Sequence, residues 1–319
     1  MPAAALVGVT VAVIAAVVGV VVALGVTGGG GPRTGGAGGI HLSTLVRGET
    51  SAVWVGSQAW MADDTANVVR RFDPSTGKLA SRAVTVGTAP VSLAGGSGEL
   101  WVASSLSNSV SRVSLSNGRL LGTTPVPNDP VGIATGFGEG WVASLLAGRV
   151  SMVDPANGRV VASAATPQAP VRIAAGAGAL WATGGTNELM RVDPRPAGSS
   201  LEVSAVAVGA GPLGLAVGKR FVYVACARAK AIVRVDAATM KVAATYHVGG
   251  DPIAVALWHG DLWVADAAAA TIRAYNPLTG TPASKAVDLP GTPRYMTTGG
   301  GHLWVATARP GAVVKVTWP

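Results

Sequence analysis

The sequence predicts an all-β fold, a seven-bladed β-propeller of four-stranded blades preceded by one N-terminal transmembrane helix. Three observations carry this. Aromatic residues recur as Trp54, Trp101, Trp141, Trp181, Tyr223, Trp263 and Trp304, at intervals of 47, 40, 40, 42, 40 and 41 residues. Prolines recur in step at Pro90, Pro130, Pro170, Pro212, Pro252 and Pro293. Between them lie short runs rich in Val, Ile and Trp, bounded by Gly, Pro, Asn and Asp and without a helical stripe, which is how strands and turns read. A unit of about 40 residues cannot bury both of its own faces and must cover them with its neighbours.

The elements follow in order. Ala3 to Val26 is 24 residues without a charge, long enough as a helix to span about 36 Å and cross a bilayer. Residues 1–27 are therefore expected to be an anchor or an uncleaved signal. Ala23-Leu24-Gly25 also offers a small-x-small cleavage site, so a secreted form is the alternative. Lys and Arg are absent before the run and Arg33 and Arg47 follow it, which by charge counting would leave the propeller cytoplasmic. The plan of a hydrophobic segment ahead of an all-β domain favours the opposite, a single-pass cell-membrane protein with its propeller outside the cytoplasm. Residues 28–39 are a glycine-rich linker, flexible enough to hold the propeller near the membrane.

Residues 40–319 are expected to form the propeller. Blade three shows a whole unit: Pro130-Val131-Gly132-Ile133-Ala134, then Gly140-Trp141-Val142-Ala143, then Val150-Ser151-Met152-Val153-Asp154-Pro155, turning at Asn157-Gly158 into Arg159-Val160-Val161. The Asp-Pro-x-x-Gly phrases suit a type I turn with Pro second and Gly closing it. Residues 41–46 are expected to be the first strand of blade one. The chain ends after the third strand of blade seven, so that blade is expected to have three good strands and a short fourth from about Gly38 to Leu42. The stretch before His41 is mostly glycine, which makes a poor strand.

Composition narrows function. Net charge is +8, with 49% apolar and 13% charged residues, a balance that favours anionic surroundings. The basic residues are scattered, with only Arg70-Arg71 and Lys219-Arg220 adjacent, and no basic-aromatic strip exists to follow a nucleic-acid backbone. The single Cys226 cannot form an internal disulfide. The four histidines occupy unrelated places without a Gly-x-Ser-x-Gly phrase, so Ser-His-Asp chemistry lacks its residues. Neither a metal nor a cofactor is expected. A basic residue before the third-strand valine, as at Arg112, Arg191, Arg234, Arg71 and Lys315, is read as blade-to-blade pairing or solvation.

The Gly-x-Leu-Trp-Val-Ala and Val-Asp-Pro-x-Thr-Gly pattern over residues 42–317 resembles the YVTN-type and streptogramin-lyase-like (virginiamycin B lyase) propellers, and the extracellular sensor propellers of some actinobacterial receptor kinases. Resemblance to the lyases implies a second-strand glutamate and a histidine near magnesium, acting on a cyclic depsipeptide. The positions three after the aromatic hold Ser57, Ser104, Ser144, Gly184, Cys226, Asp266 and Thr307, without a glutamate. No catalytic residue is assigned for that reason.

Function is then sought where one blade departs from its siblings. In blade one Asp73 stands 19 positions after Trp54, a stretch read as a long loop with Trp60, Asp63 and Asp64 at a binding tip. Arg172 replaces a small residue found at its position in Ser92, Gly132, Gly214 and Ala254. Asp266 ends a second strand, and Arg294 and Tyr295 follow the proline of blade seven. The candidate site is a pocket at one rim over the axial channel, with Arg172 and Arg294 binding an anion and Tyr295 and Trp60 as stacking surfaces. The expected function is a non-catalytic ligand-binding, sensing or protein-interaction module, monomeric, with a small anionic ligand or an envelope protein as partner. The alternatives are a lyase-like enzyme and a structural scaffold of the cell envelope.

Overall fold

A computed structural model of the protein describes residues 40–47, 52–56, 58–196 and 198–318. The expected anchor (1–27) and linker (28–39) lie outside the described residues. Seven four-stranded antiparallel sheets form the propeller. Blades one to six run over residues 52–85, 90–125, 130–165, 170–207, 212–247 and 252–288, and blade seven combines residues 292–317 with the strand His41–Arg47.

Two expectations about the seam are corrected. The strand His41–Arg47 is the outer strand of blade seven, not the first strand of blade one. It pairs antiparallel with Ala312–Thr317, from His41 opposite Thr317 to Arg47 opposite Ala312. Blade seven therefore has four full strands, and N- and C-terminal segments close the ring in one sheet. The β-branched and apolar residues of this strand suit it to the edge, and Ile40 and Leu42 pack into the cluster that holds Val314, Val316 and Trp318. The weak outer strand belongs to blade six, where only Val287–Asp288 pairs. Pro282 and Pro290 flank that segment, and proline cannot donate to a ladder.

The second correction concerns blade one. Its second strand is Ala59–Asp63, so the repeat aromatic is Trp60, which stands 41 residues before Trp101. Trp54 lies in the first strand, Ala52–Val55, opposite Trp60. The expected long loop is thus a hairpin plus a strand. Trp60 and Met61 are buried, with Trp60 only 2% exposed.

The core lies between blades. Trp60 and Ala62 of blade one share a cluster with Leu93, Leu100 and Val102 of blade two, and Trp141 of blade three packs with Ile173 and Leu180 of blade four. Trp101 covers Gly140 of the next blade so closely that a Cβ there would overlap its ring. This contact explains why glycine stands in that strand. Trp141, Trp181 and Trp304 each donate an indole N–H to the carbonyl of the glycine five residues earlier, at 2.9 to 3.0 Å.

The basic residue opposite the aromatic links blades, as the sequence suggests. Arg112 of blade two donates to Pro155 O of blade three. Arg191 of blade four reaches Ala237 O at 3.2 Å, and Arg234 of blade five reaches Leu278 O at 2.8 Å. Each guanidinium also lies over its own blade's aromatic ring, 4.6 to 5.9 Å from the centroid, where cation-π attraction adds to the hydrogen bond.

Candidate functional site

The first strand of every blade borders the axis. Register fixes which of its residues share a level, because the residue two after each proline pairs with the residue two after the aromatic. Around the ring this level holds Ala52, Ser92, Gly132, Arg172, Gly214, Ala254 and Tyr295. Five are small. Arg172 and Tyr295, from blades four and seven, are the two large ones, and they meet: the Arg172 guanidinium lies 5.9 Å from the centroid of the Tyr295 ring. The small side chains around the level leave room for the arginine to extend, and Gly132 and Gly214 are its immediate neighbours.

Local structure holds both residues in place. The first strand of each blade bulges after its proline, as between Pro170 and Arg172 and between Pro293 and Tyr295. Such bulges re-aim side chains. Arg172 N–H donates to Thr183 Oγ1 at 3.2 Å, and that hydroxyl donates to Leu213 O of blade five at 2.9 Å. The Tyr295 ring packs on the cluster containing Met61 and Trp304.

Electrostatically the pair is incomplete. Among the described residues, no carboxylate lies within ion-pair distance of Arg172 or Arg294 and neither guanidinium donates a hydrogen bond. Burial pushes the Arg172 guanidinium down from its ordinary range, opposed by Tyr295, and pushes the Tyr295 phenol up, opposed by Arg172. Arginine stays charged through such a shift, so the channel contains a desolvated cation whose one close partner is an aromatic face. Arg294, half-buried beside Tyr295 on the strand Thr292–Gly299, occupies a position held by Val91, Val131, Val171, Leu213 and Ile253 elsewhere.

The other candidates sit differently. Trp60 is in the core and offers no stacking surface to solvent, because it is the repeat aromatic of its blade. Once blade one is read from Trp60, the position three after the aromatic holds Asp63 in place of Ser57, so two blades carry an acid there. Both acids cap turns. Asp63 accepts from Thr65 N and Ala66 N at 3.1 and 2.8 Å, and Asp266 accepts from Ala268 N and Ala269 N at 2.9 and 3.1 Å. Such Asx turns are a structural use of aspartate. Asp266 also takes Asp251 N–H at 3.0 Å from the connection into its own blade. Burial raises the Asp251 carboxyl, with the Asp266 charge adding to it and Lys230 opposing. Asp64 is half-buried in the same turn as Asp63. No contact among the described residues joins Asp63, Asp64 or Asp266 to Arg172, Arg294 or Tyr295. Among the described residues, no three His, Cys, Asp or Glu side chains gather as a metal site would need.

A second concavity was missed by the sequence reading. On the opposite face, a cleft of about 740 Å³ opens between blades one and seven, lined by Gln58, Phe72, Lys78, His302, Trp304 and Lys315 among others. The signal was present in the position two before the aromatic, where Glu99 and Glu139 have His302 as their counterpart.

A ring of seven four-stranded sheets defines the class: this chain is a seven-bladed β-propeller in its fold. No family model and no curated protein matches the chain. Solved structures do resemble it. A streptogramin B lyase structure superposes with a TM-score of 0.74 at 20% identity, covering 88% of this chain and 98% of that one. A catalytically inactive virginiamycin B lyase from Staphylococcus aureus with quinupristin gives 0.75 at 18% identity, over 88% of this chain and 100% of that one. The WD40 repeats of RRP9 give 0.76 at 11% identity, over 87% and 97%. Lyases and WD40 propellers resemble the chain equally well, so the likeness establishes the fold and leaves function to the site.

Proposed function

We propose that the protein is a non-catalytic binding module, tethered to the cell membrane by residues 3–26 with its propeller outside the cytoplasm, that takes a small anion into the axial channel. The observation that carries this reading is the Arg172 guanidinium, held over Tyr295 on the inner strands of the ring with no carboxylate within ion-pair distance among the described residues. A planar guanidinium suits a carboxylate or phosphate because two parallel N–H donors match two oxygens. Arg294 on the adjacent strand position supplies a second cation, and the aromatic wall of Tyr295 supplies a flat surface. A partly desolvated cation is a better anion receptor than an exposed one, since water screens it less.

The lyase reading has weaker support. Asp63 and Asp266 stand where the resemblance calls for glutamate, but their carboxylates hold turns. No base is thereby left free at those positions.

The test is a thermal-shift and calorimetric screen of the purified full-length protein against small carboxylates and phosphates, because a ligand that binds only the native state raises its melting temperature. Arg172→Ala combined with Arg294→Ala is expected to weaken binding of any hit by about 10- to 100-fold, the effect of losing a charge-assisted contact. Unchanged affinity in that double variant would overturn the assignment.

A further inference from the structure

The cleft between blades one and seven differs in its charge from the junction of blades two and three. In blade two, the cation opposite the aromatic has a carboxylate beside it: Arg112 lies 3.4 Å from Glu99, and both are largely buried. In blade seven the same two positions hold Lys315 and His302. The latch is looser there too, with Lys315 Nζ 3.5 Å from Pro74 O. Where blade two has a pair of opposite charges blade seven has a pair of bases, and an open cleft lies here, whereas guanidinium groups latch blade two to three, four to five and five to six.

The other groups facing the cleft do not restore the balance. Arg71 and Lys78 add two cations. The single acid, Asp73, has its Oδ1 engaged by Ser75 N and Thr76 N at 2.7 and 3.0 Å, in the turn that closes blade one's outer hairpin. Two buried polar atoms are without partners among the described residues, His302 Nδ1 and Gln58 Oε1. Native structures seldom leave such atoms unsatisfied. The floor is aromatic: Phe72 and Trp304 meet edge to face with centroids 5.9 Å apart, and Lys315 lies over the Trp304 ring at 5.9 Å.

We propose that this cleft is a second binding site, separate from the axial channel, for a small organic anion that pairs a carboxylate or phosphate with a flat apolar group. The anionic head sits between Lys315 and His302, where protonated His302 donates to it, and the flat part lies against the apolar wall of Pro74, Leu79 and Ala80, above the buried rings of Phe72 and Trp304. The volume is within the roughly 300 to 1,000 Å³ of ordinary ligand sites. In the free protein, burial, Lys315 and the nearby His259 hold the His302 imidazole below its usual range. An anion placed between His302 and Lys315 reverses the electrostatic part of that shift.

The test titrates the full-length protein with phenyl phosphate, benzoate and uncharged benzamide, while NMR follows the four histidines. Saturable binding of phenyl phosphate or benzoate, with benzamide inert, is the expected result, and the tighter of the two identifies the head group. His302 should titrate at higher pH in the bound state than in the free protein. His302→Glu, which rebuilds the blade-two pair, and Lys315→Gln should each weaken binding at the cleft about tenfold or more. The proposal is overturned if neither anion saturates the wild-type protein, or if binding leaves the His302 titration where it was. The histidine readout needs no variant, so a variant that fails to fold does not remove the test.

Discussion

Arg172 and Cys226 show how one position in a repeat acquires a distinct property. Arg172 stands at a ring level where its siblings Ser92, Gly132 and Ala254 are small, and its guanidinium reaches Tyr295 of the blade across the axis. Cys226 stands where Ser104 and Ser144 stand in their blades, fully buried beside Val208 O. Burial pushes its thiol up to about 12 from an ordinary 9.0. A pKa raised on folding means that the neutral thiol stabilises the fold, fully below pH 9, and that this contribution is lost as pH climbs from 9 toward 12. Cys226 is therefore expected to resist a thiol reagent at pH 8 in the native protein and to react once urea unfolds it. Replacement by serine, the residue of the sibling blades, should flatten the alkaline fall in stability between pH 9 and pH 11, measured by urea denaturation. A native thiol that reacts at the rate of a free one would contradict this placement.

At the scale of the strand and hairpin, register decides what each residue does. Trp60 is expected to be structural, so Trp60→Ala should cost about 3 to 5 kcal/mol of stability, as for a buried aromatic. Urea denaturation would measure this, and a loss below about 1 kcal/mol would mean that Trp60 is a loop residue after all. Blades two to seven were legible because Gly-x-Leu-Trp-Val-Ala marks a second strand wherever it occurs. Blade one was misread because Ala52-Val53-Trp54-Val55 imitates that phrase in a first strand, and the 47-residue interval to Trp101 was the sign that it did not belong. Arg172 and Tyr295 were legible as departures, each from its own siblings. That they occupy one level, and touch, depends on pairing across two strands and on ring closure. The cleft at the seam was illegible for a related reason: His302 and Lys315 are unremarkable one at a time, and their meaning comes from standing where Glu99 and Arg112 stand.

Across the whole molecule, function depends on the ring being closed. The strand His41–Arg47 completes blade seven with residues from the other end of the chain, and the axial level of Arg172 and Tyr295 exists only while blades four and seven are held at fixed positions around the axis. Removing residues 1–47 should therefore lower the melting temperature and broaden the transition, read by circular dichroism, because Val46, Ile40 and Leu42 leave their clusters with blade seven. An unchanged transition would show that the three remaining strands suffice. The most direct measurement of the binding channel is a crystal structure of the protein soaked with para-iodobenzoate, with the iodine located by its anomalous scattering. The account expects the carboxylate on the Arg172 guanidinium with the iodinated ring in the channel, and no such occupancy in the Arg172→Ala protein. Anomalous density that avoids the channel in both proteins would contradict it.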